Sequence, residues 1–401
     1  MNKKVSLGVC LSLVIIAIAA TFAVTMVFSK QMYNGIISNI STRSQSYDAA
    51  DEISGFISSY YYGSLDDYNN NLGGSVAQGY VNGLNDPYSY YMSASEYADY
   101  IYRRDNGVAG IGIETAYDDD TNSFLVAYVY EGSPAYNEGM KSGDVITAVD
   151  DVTVTKSNYG KLESKFYGTK LQTVKVEYMR DDVTKTAQLM LGFTISSVTY
   201  KTSDTVAYVR ISRFYKNTAS ELDTALAIIK NSGIENVIFD VRNTTEGTIK
   251  FAAQTIDVIV PNISSGNIAA AVDKSGNKET FTAQNSSYNF RYVVLINSRT
   301  SGAAELFACD LRDISQAQLV GTVTAGVGTM QKDFALSDGS AVMLTTALVI
   351  PKNGESAVYD KVGVSPTLEV TLLGNDSNIL ILSESEDNQL TAALSLVTEE
   401  Q

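Results

Sequence analysis

None of the 401 residues is histidine. That zero removes Ser-His-Asp and Cys-His catalysis, histidine-based zinc sites and histidine general bases. The two cysteines are Cys10, in an apolar N-terminal segment, and Cys309, so no disulfide framework is expected. Cys309 follows Leu306-Phe307-Ala308 and reads as a small core residue, because no imidazole exists to activate its thiol. The acidic run Asp118-Asp119-Asp120 reads as a solvated hairpin tip, not a metal site. One short stretch does suggest chemistry. In Gly110-Ile111-Gly112-Ile113, glycines between apolar residues let backbone amides converge on a carboxylate, and the strand edge that follows can pair with an extended peptide. No cofactor is implied.

The elements that must position such a loop follow from composition and patterning. Lys and Arg number 29 against 45 Asp and Glu, a net charge of −16, which lacks the basic footprint of a nucleic-acid binder. The length suffices for two or three domains with real cores. Lys3-Lys4 precede an uncharged, largely apolar stretch, residues 5–29, long enough to span a bilayer. The preceding lysines predict a cytoplasmic tail at 1–4, a single-pass cell-membrane anchor and an extracytoplasmic bulk. Residues 30–105 read as helical. Residues 106–195 alternate apolar and polar residues in short runs, as a small β-rich domain does. Over 196–369, strand candidates Val206–Ile211, Val237–Val241, Tyr292–Asn297 and Leu319–Gly321 alternate with helical patterns, which predicts an α/β sheet. Thr218-Ala219-Ser220-Glu221 predicts a capping box, with Gly233 ending that helix. Residues 370–401 form an acidic tail with an amphipathic piece around Leu390–Val397. Tyrosine clusters at Tyr60-Tyr61-Tyr62 and Tyr90-Tyr91 are open to two readings, an interface or the aromatic of choice in a chain without tryptophan.

Three further segments extend the glycine loop into a pattern: Glu131-Gly132-Ser133-Pro134-Ala135, Gly139 to Ile146, and Val149-Asp150. The region resembles a bacterial PDZ domain, which implies a peptide groove between the Gly110–Ile113 segment and a helix near Asn158–Phe166. The resemblance widens outside it. Gly83 to Ser89 with Tyr91-Met92, Val206–Ile211 with Phe214, Val237–Asn243, Tyr292–Asn297 with Glu305, Gly321 to Gln331, Asp338–Ala341 and Gly363–Pro366 are similar, in order and spacing, to motifs of the C-terminal-processing (tail-specific) serine peptidase family. That resemblance implies an α/β peptidase core of the ClpP/crotonase-like kind with an inserted PDZ domain. It also implies a Ser–Lys dyad that needs no histidine.

In this register the dyad positions hold Gly302, three before Glu305, and Val327, between Gly326 and Gly328. Glycine has no nucleophile and valine carries no proton. The glutamine that follows the lysine in the family is present as Gln331. Where the family has an oxyanion-hole glycine, this chain has Glu246, followed by Gly247, and a carboxylate beside a developing oxyanion is electrostatically wrong. Thr367 replaces a family aspartate. An alternative nucleophile and base are Ser301 and Lys332, through a register shift. The resemblance therefore implies either an inactive relative that binds protein C-termini or extended peptides, alone or paired as a homodimer or with an active relative, or an endopeptidase using Ser301 and Lys332.

Overall fold

The structure is a computed structural model. It describes residue 21 and residues 47–398 apart from 119–120, 170–171, 261–265, 284–287, 355–357, 374–378 and 381; of 66–71 only the backbone is described. The predicted anchor at 5–29 lies outside the described residues, save for Thr21. Among the described residues no helix is long and apolar enough to cross a membrane. Two compact units divide the chain, Met1–Val76 and Ala77–Gln401. The first contains a helix over 47–60, and Tyr60, Tyr61 and Tyr62 after it are all exposed.

Within the second unit, the β-rich domain is an antiparallel sheet of strands Ile113–Asp118, Ser123–Val129, Val145–Val149, Thr173–Arg180 and Val183–Met190, in that spatial order. Period-2 alternation explains its single core face: Val174, Val176 and Tyr178 point inward and their neighbours outward. Asp181-Asp182 joins the last two strands with φ of 50° and 59°, the left-handed pair that a tight hairpin turn requires. Among the described residues, strand Ile113–Asp118 has a partner on one side only, which makes it one edge of the sheet.

The larger core is a six-stranded sheet, ordered Val198–Thr202, Val206–Ile211, Asn236–Asp240, Arg291–Ile296, Gln318–Gly321, Leu368–Glu369. The first pair is antiparallel and every later pairing is parallel. Both faces are covered, which is why these strands read as continuous apolar runs. Val237, Phe239, Val294 and Ile296 face helices Thr218–Asn231, Ile249–Ile259 and Ala303–Ser315. Ile238, Val293 and Leu295 face the other way, onto Ala393 and Val397 of helix Asn388–Thr398. The acidic C-terminal segment thus contributes a helix that closes the sheet's second face. A buried ion network fastens it there. The Arg242 guanidinium lies 2.6 Å from Asp240 and 2.7 Å from Asp387, and also donates to Gln389 at 3.0 Å. Tyr208 donates its hydroxyl to Asp240 at 2.7 Å.

The capping box predicted at Thr218 does not form. Asn217 is the N-cap and makes no side-chain cap bond. Thr218 Oγ1 instead accepts from the Tyr215 N–H at 2.9 Å, and Glu221 accepts from the Ser197 N–H at 2.7 Å. The linker before strand Val198–Thr202 competes successfully for the carboxylate. A true capping box starts helix Ala94–Asn106, where Ser93 and Glu96 cap each other's backbone.

A separate sheet has five strands. In it Tyr90–Met92 and Thr329–Ala335 both pair with the long strand Ala341–Ile350. The preceding turn is locked by Asp86, which accepts from the Ser89 hydroxyl at 2.6 Å, while Ser89 accepts from the Thr345 N–H at 3.0 Å.

Candidate active-site cleft

In an α/β sheet, ligands collect where the strands end at their carboxyl side. Here the loops after Asp240 and Ile296 are stitched together by their asparagines. Asn297 Oδ1 accepts from the Asn243 N–H at 3.1 Å, and Asn297 Nδ2 donates to Asn243 Oδ1 at 2.9 Å. Asn243 has φ of 58°, a left-handed conformation that asparagine tolerates. The Ser301 N–H donates to the Thr244 carbonyl at 3.0 Å, which brings the start of helix Ala303–Ser315 against the Glu246-Gly247 loop.

Glu305 organises the site. It is fully buried in the first turn of that helix. Its Oε2 accepts from the Gly302 N–H at 2.9 Å and from the Val327 N–H at 2.7 Å. Its Oε1 accepts from the Gly326 N–H at 2.6 Å and from the Thr324 hydroxyl. Burial pushes this carboxyl above its ordinary range, and the four donors pull against that. One side chain therefore clamps the 324–327 loop to the N-terminus of the helix and makes Gly302 and Val327 neighbours.

A cleft of about 500 Å³ opens there, and its walls include Ser301, Gly302, Val327, Gln331, Glu246 and Gly247. Six predicted site positions thus meet in one place. Gly302 has φ of 59° and ψ of −110°, and a Cβ added to it would meet no atom within 4 Å. Gly247 is confined: a Cβ there would sit 2.6 Å from Phe214 Cβ. Lys332 is not brought in. Its ammonium lies 2.9 Å from Glu279 on the exposed side of the strand, as alternation after Gln331 dictates. Cys309 is buried in the core, and burial pushes its thiol well up. Among the described residues no group of acidic or sulfur side chains could hold a metal.

The glycine loop of the β-rich domain is only partly available. The Ile111 N–H donates to the Phe166 carbonyl at 2.9 Å, and the Ile111 and Ile113 side chains lie in the domain core. Gly112, with φ of 81°, passes so close to Ser133 that a Cβ would sit 2.1 Å from it. Gly110 lies likewise against the Phe166 carbonyl. The helix expected across the groove is Tyr159–Glu163. Tyr159 stacks on Tyr117 at 4.2 Å, and Thr115 donates to Glu163 at 3.3 Å, so this helix rests on the open strand edge.

Comparison with known proteins agrees with this layout. The peptidase family S41 matches residues 205–370 and the PDZ domain matches residues 108–191. The carboxyl-terminal-processing protease of Synechocystis is 28% identical over 330 residues, covering 79% of this chain and 74% of that protein. The carboxy-terminal processing protease CtpA of Bacillus subtilis is 28% identical over 336 residues, covering 83% and 70%. Residues 205–370 thus resemble peptidase family S41, and most of the chain is similar to carboxyl-terminal-processing proteases. An S41-family structure from Bacteroides fragilis shares its fold, with a TM-score of 0.59 at 19% identity over 80% of this chain and 90% of that one.

Two residues of this cleft escape sequence reasoning. Arg103 and Tyr215 both approach Glu246, from 143 and 31 positions away, and no local pattern announces either. The clamp role of Glu305 does have a signal: a glutamate three residues after a helix start reaches back to the first backbone donors.

Proposed function

We propose that this chain is a membrane-anchored protein that binds peptides without cutting them. The observation that carries the reading is the pair of positions held by Glu305: Gly302 offers no hydroxyl and Val327 no amine, although the scaffold that would bring such groups together is intact. Glu246 supports it, since a carboxylate in the same cleft disfavours an oxyanion. The sheet edge at Ile113–Asp118 supports binding of a protein C-terminus or extended segment by strand addition, once the Tyr159–Glu163 helix moves aside. The uncharged stretch at 5–29 supports a single-pass anchor with the bulk outside the cytoplasm, and dimerisation with a second copy or an active relative fits such a role. The relatives' protease names favour the second reading, an endopeptidase using Ser301. Ser301 lines the cleft, but its proposed base Lys332 is engaged elsewhere with Glu279. The test is incubation of the full chain with peptides bearing apolar C-termini. Binding without cleavage supports the proposal, and turnover that Ser301→Ala abolishes refutes it.

A further inference from the structure

Among the described residues, two ionic side chains line the cleft, Arg103 and Glu246. Arg103 is already engaged. Its Nε lies 2.9 Å from Asp99, one turn earlier on the same helix, and its Nη1 lies 3.7 Å from Glu246 Oε1, beyond hydrogen-bonding distance. The trio Asp99, Arg103 and Glu246 carries one negative charge in excess. Glu246 Oε2 accepts from the Tyr215 hydroxyl at 2.7 Å, and Tyr215 is buried, so the carboxylate is held in place from behind. Its side chain is nonetheless 48% exposed at the cleft wall. The rings of Tyr88 and Tyr90 and the thioethers of Met330 and Met343 line the same space. Aromatic faces attract cations, thioethers adapt to irregular shapes, and the methylene stems of lysine and arginine lie along apolar walls while their charged heads reach out.

We propose that this cleft receives a lysine or arginine side chain of a bound extended peptide, with the Glu246 carboxylate as counter-ion and Tyr88 and Tyr90 as walls. This rests on the non-catalytic reading above and adds the charge of the ligand to it. The site inverts the polarity that peptide hydrolysis requires: it attracts a cation where chemistry would need to stabilise an anion. The chain's net charge of −16 reinforces the attraction at long range.

The test uses the full chain and four extended peptides, identical except for a central lysine, arginine, norleucine or glutamate, titrated by fluorescence anisotropy. The lysine and arginine peptides bind about tenfold more tightly than the norleucine peptide, a modest ion-pair and cation–π gain. The glutamate peptide binds most weakly, and the preference shrinks as salt is added. Glu246→Gln, which retains an oxygen for the Tyr215 hydroxyl, abolishes the difference between lysine and norleucine, and Tyr88→Ala reduces it. Equal affinities for lysine and norleucine, or a preference that survives Glu246→Gln, would overturn the proposal while leaving non-catalytic binding intact. Cleavage of the peptides with the preference retained would do the reverse. No binding by any of the four would contradict both.

Discussion

A single oxygen of Glu305 holds the Val327 N–H at 2.7 Å and, on its other side, the Gly302 N–H. The carboxylate spans a loop and a helix start that are far apart in sequence. Because it works through backbone donors, it keeps its function whatever side chains stand at 302 and 327. That separates scaffold from chemistry: the positions stay adjacent even though neither carries a reactive group.

Glu305→Gln tests the clamp. An amide offers one acceptor oxygen and turns an NH₂ group toward backbone N–H donors. Hydrogen bonds to charged acceptors contribute about 1.5–3 kcal/mol, so a loss of about 2–3 kcal/mol is expected in chemical denaturation. Faster amide exchange confined to residues 324–327 should accompany it. An unchanged midpoint would show that the loop is held by other contacts.

The scaffold can be asked to take its chemistry back. Gly302 has open space for a side chain, at a cost of about 1–3 kcal/mol for a backbone conformation that side chains rarely adopt. The double variant Gly302→Ser, Val327→Lys is expected to hydrolyse peptides slowly, with either single change inactive. Adding Glu246→Gly should raise the rate by removing the anion from the cleft. Mass spectrometry of digests reads the outcome, and silence from the triple variant would mean that the cleft lacks more than the dyad.

Lys332→Ala should leave both stability and peptide binding nearly unchanged. Its pair with Glu279 is exposed, and such pairs contribute about 0.2–1 kcal/mol at most. A large effect on any activity would bring Lys332 back as a candidate base.

Arg242→Ala should be severe. It strands the buried carboxylates of Asp240 and Asp387 without a cation, a situation that costs about 3–5 kcal/mol. Because Asp387 immediately precedes helix Asn388–Thr398, that helix should become protease-sensitive first. Limited proteolysis followed by mass mapping checks this.

Asp310 sets a pH dependence. It is fully buried, its Oδ1 accepts from the Lys352 N–H at 3.0 Å, and its Oδ2 has no hydrogen-bond partner. Burial first, and the nearby Asp313 second, push its carboxyl well above the ordinary value. The fold therefore favours the protonated acid. The stability this provides is complete below the ordinary carboxylate pKa and is lost as pH rises through the raised folded value. Denaturation midpoints between about pH 4 and about pH 9 should fall more steeply for the wild type than for Asp310→Asn. Parallel curves would contradict the assignment.

Much of this was legible in local pattern. Strand Val206–Ile211 has the expected bounds, and the strands near 237, 292 and 319 are displaced by one residue or none. The resemblance to the family's motifs pointed to Gly302, Val327, Gln331, Glu246 and Gly247, and the structure brings all five to one cleft. What failed was what depends on distant partners. The Thr218 capping box reads correctly as a motif but loses Glu221 to Ser197, 24 residues away. The amphipathic pattern near Leu390 signals a helix without naming the sheet face it covers. The bond between Arg242 and Asp387, 145 residues apart, leaves no trace in either neighbourhood. Ile111 and Ile113 read as groove residues, yet their side chains fill the core, so a charge there would unfold the domain rather than report on binding.

The central claim is that this chain binds peptide without breaking it. Purified full-length chain should be incubated for long periods with peptides bearing apolar C-termini, and the mixtures read by mass spectrometry beside a Ser301→Ala control. The account predicts intact peptides from both proteins, with equal binding. Cleavage by the wild type that vanishes in Ser301→Ala would contradict it.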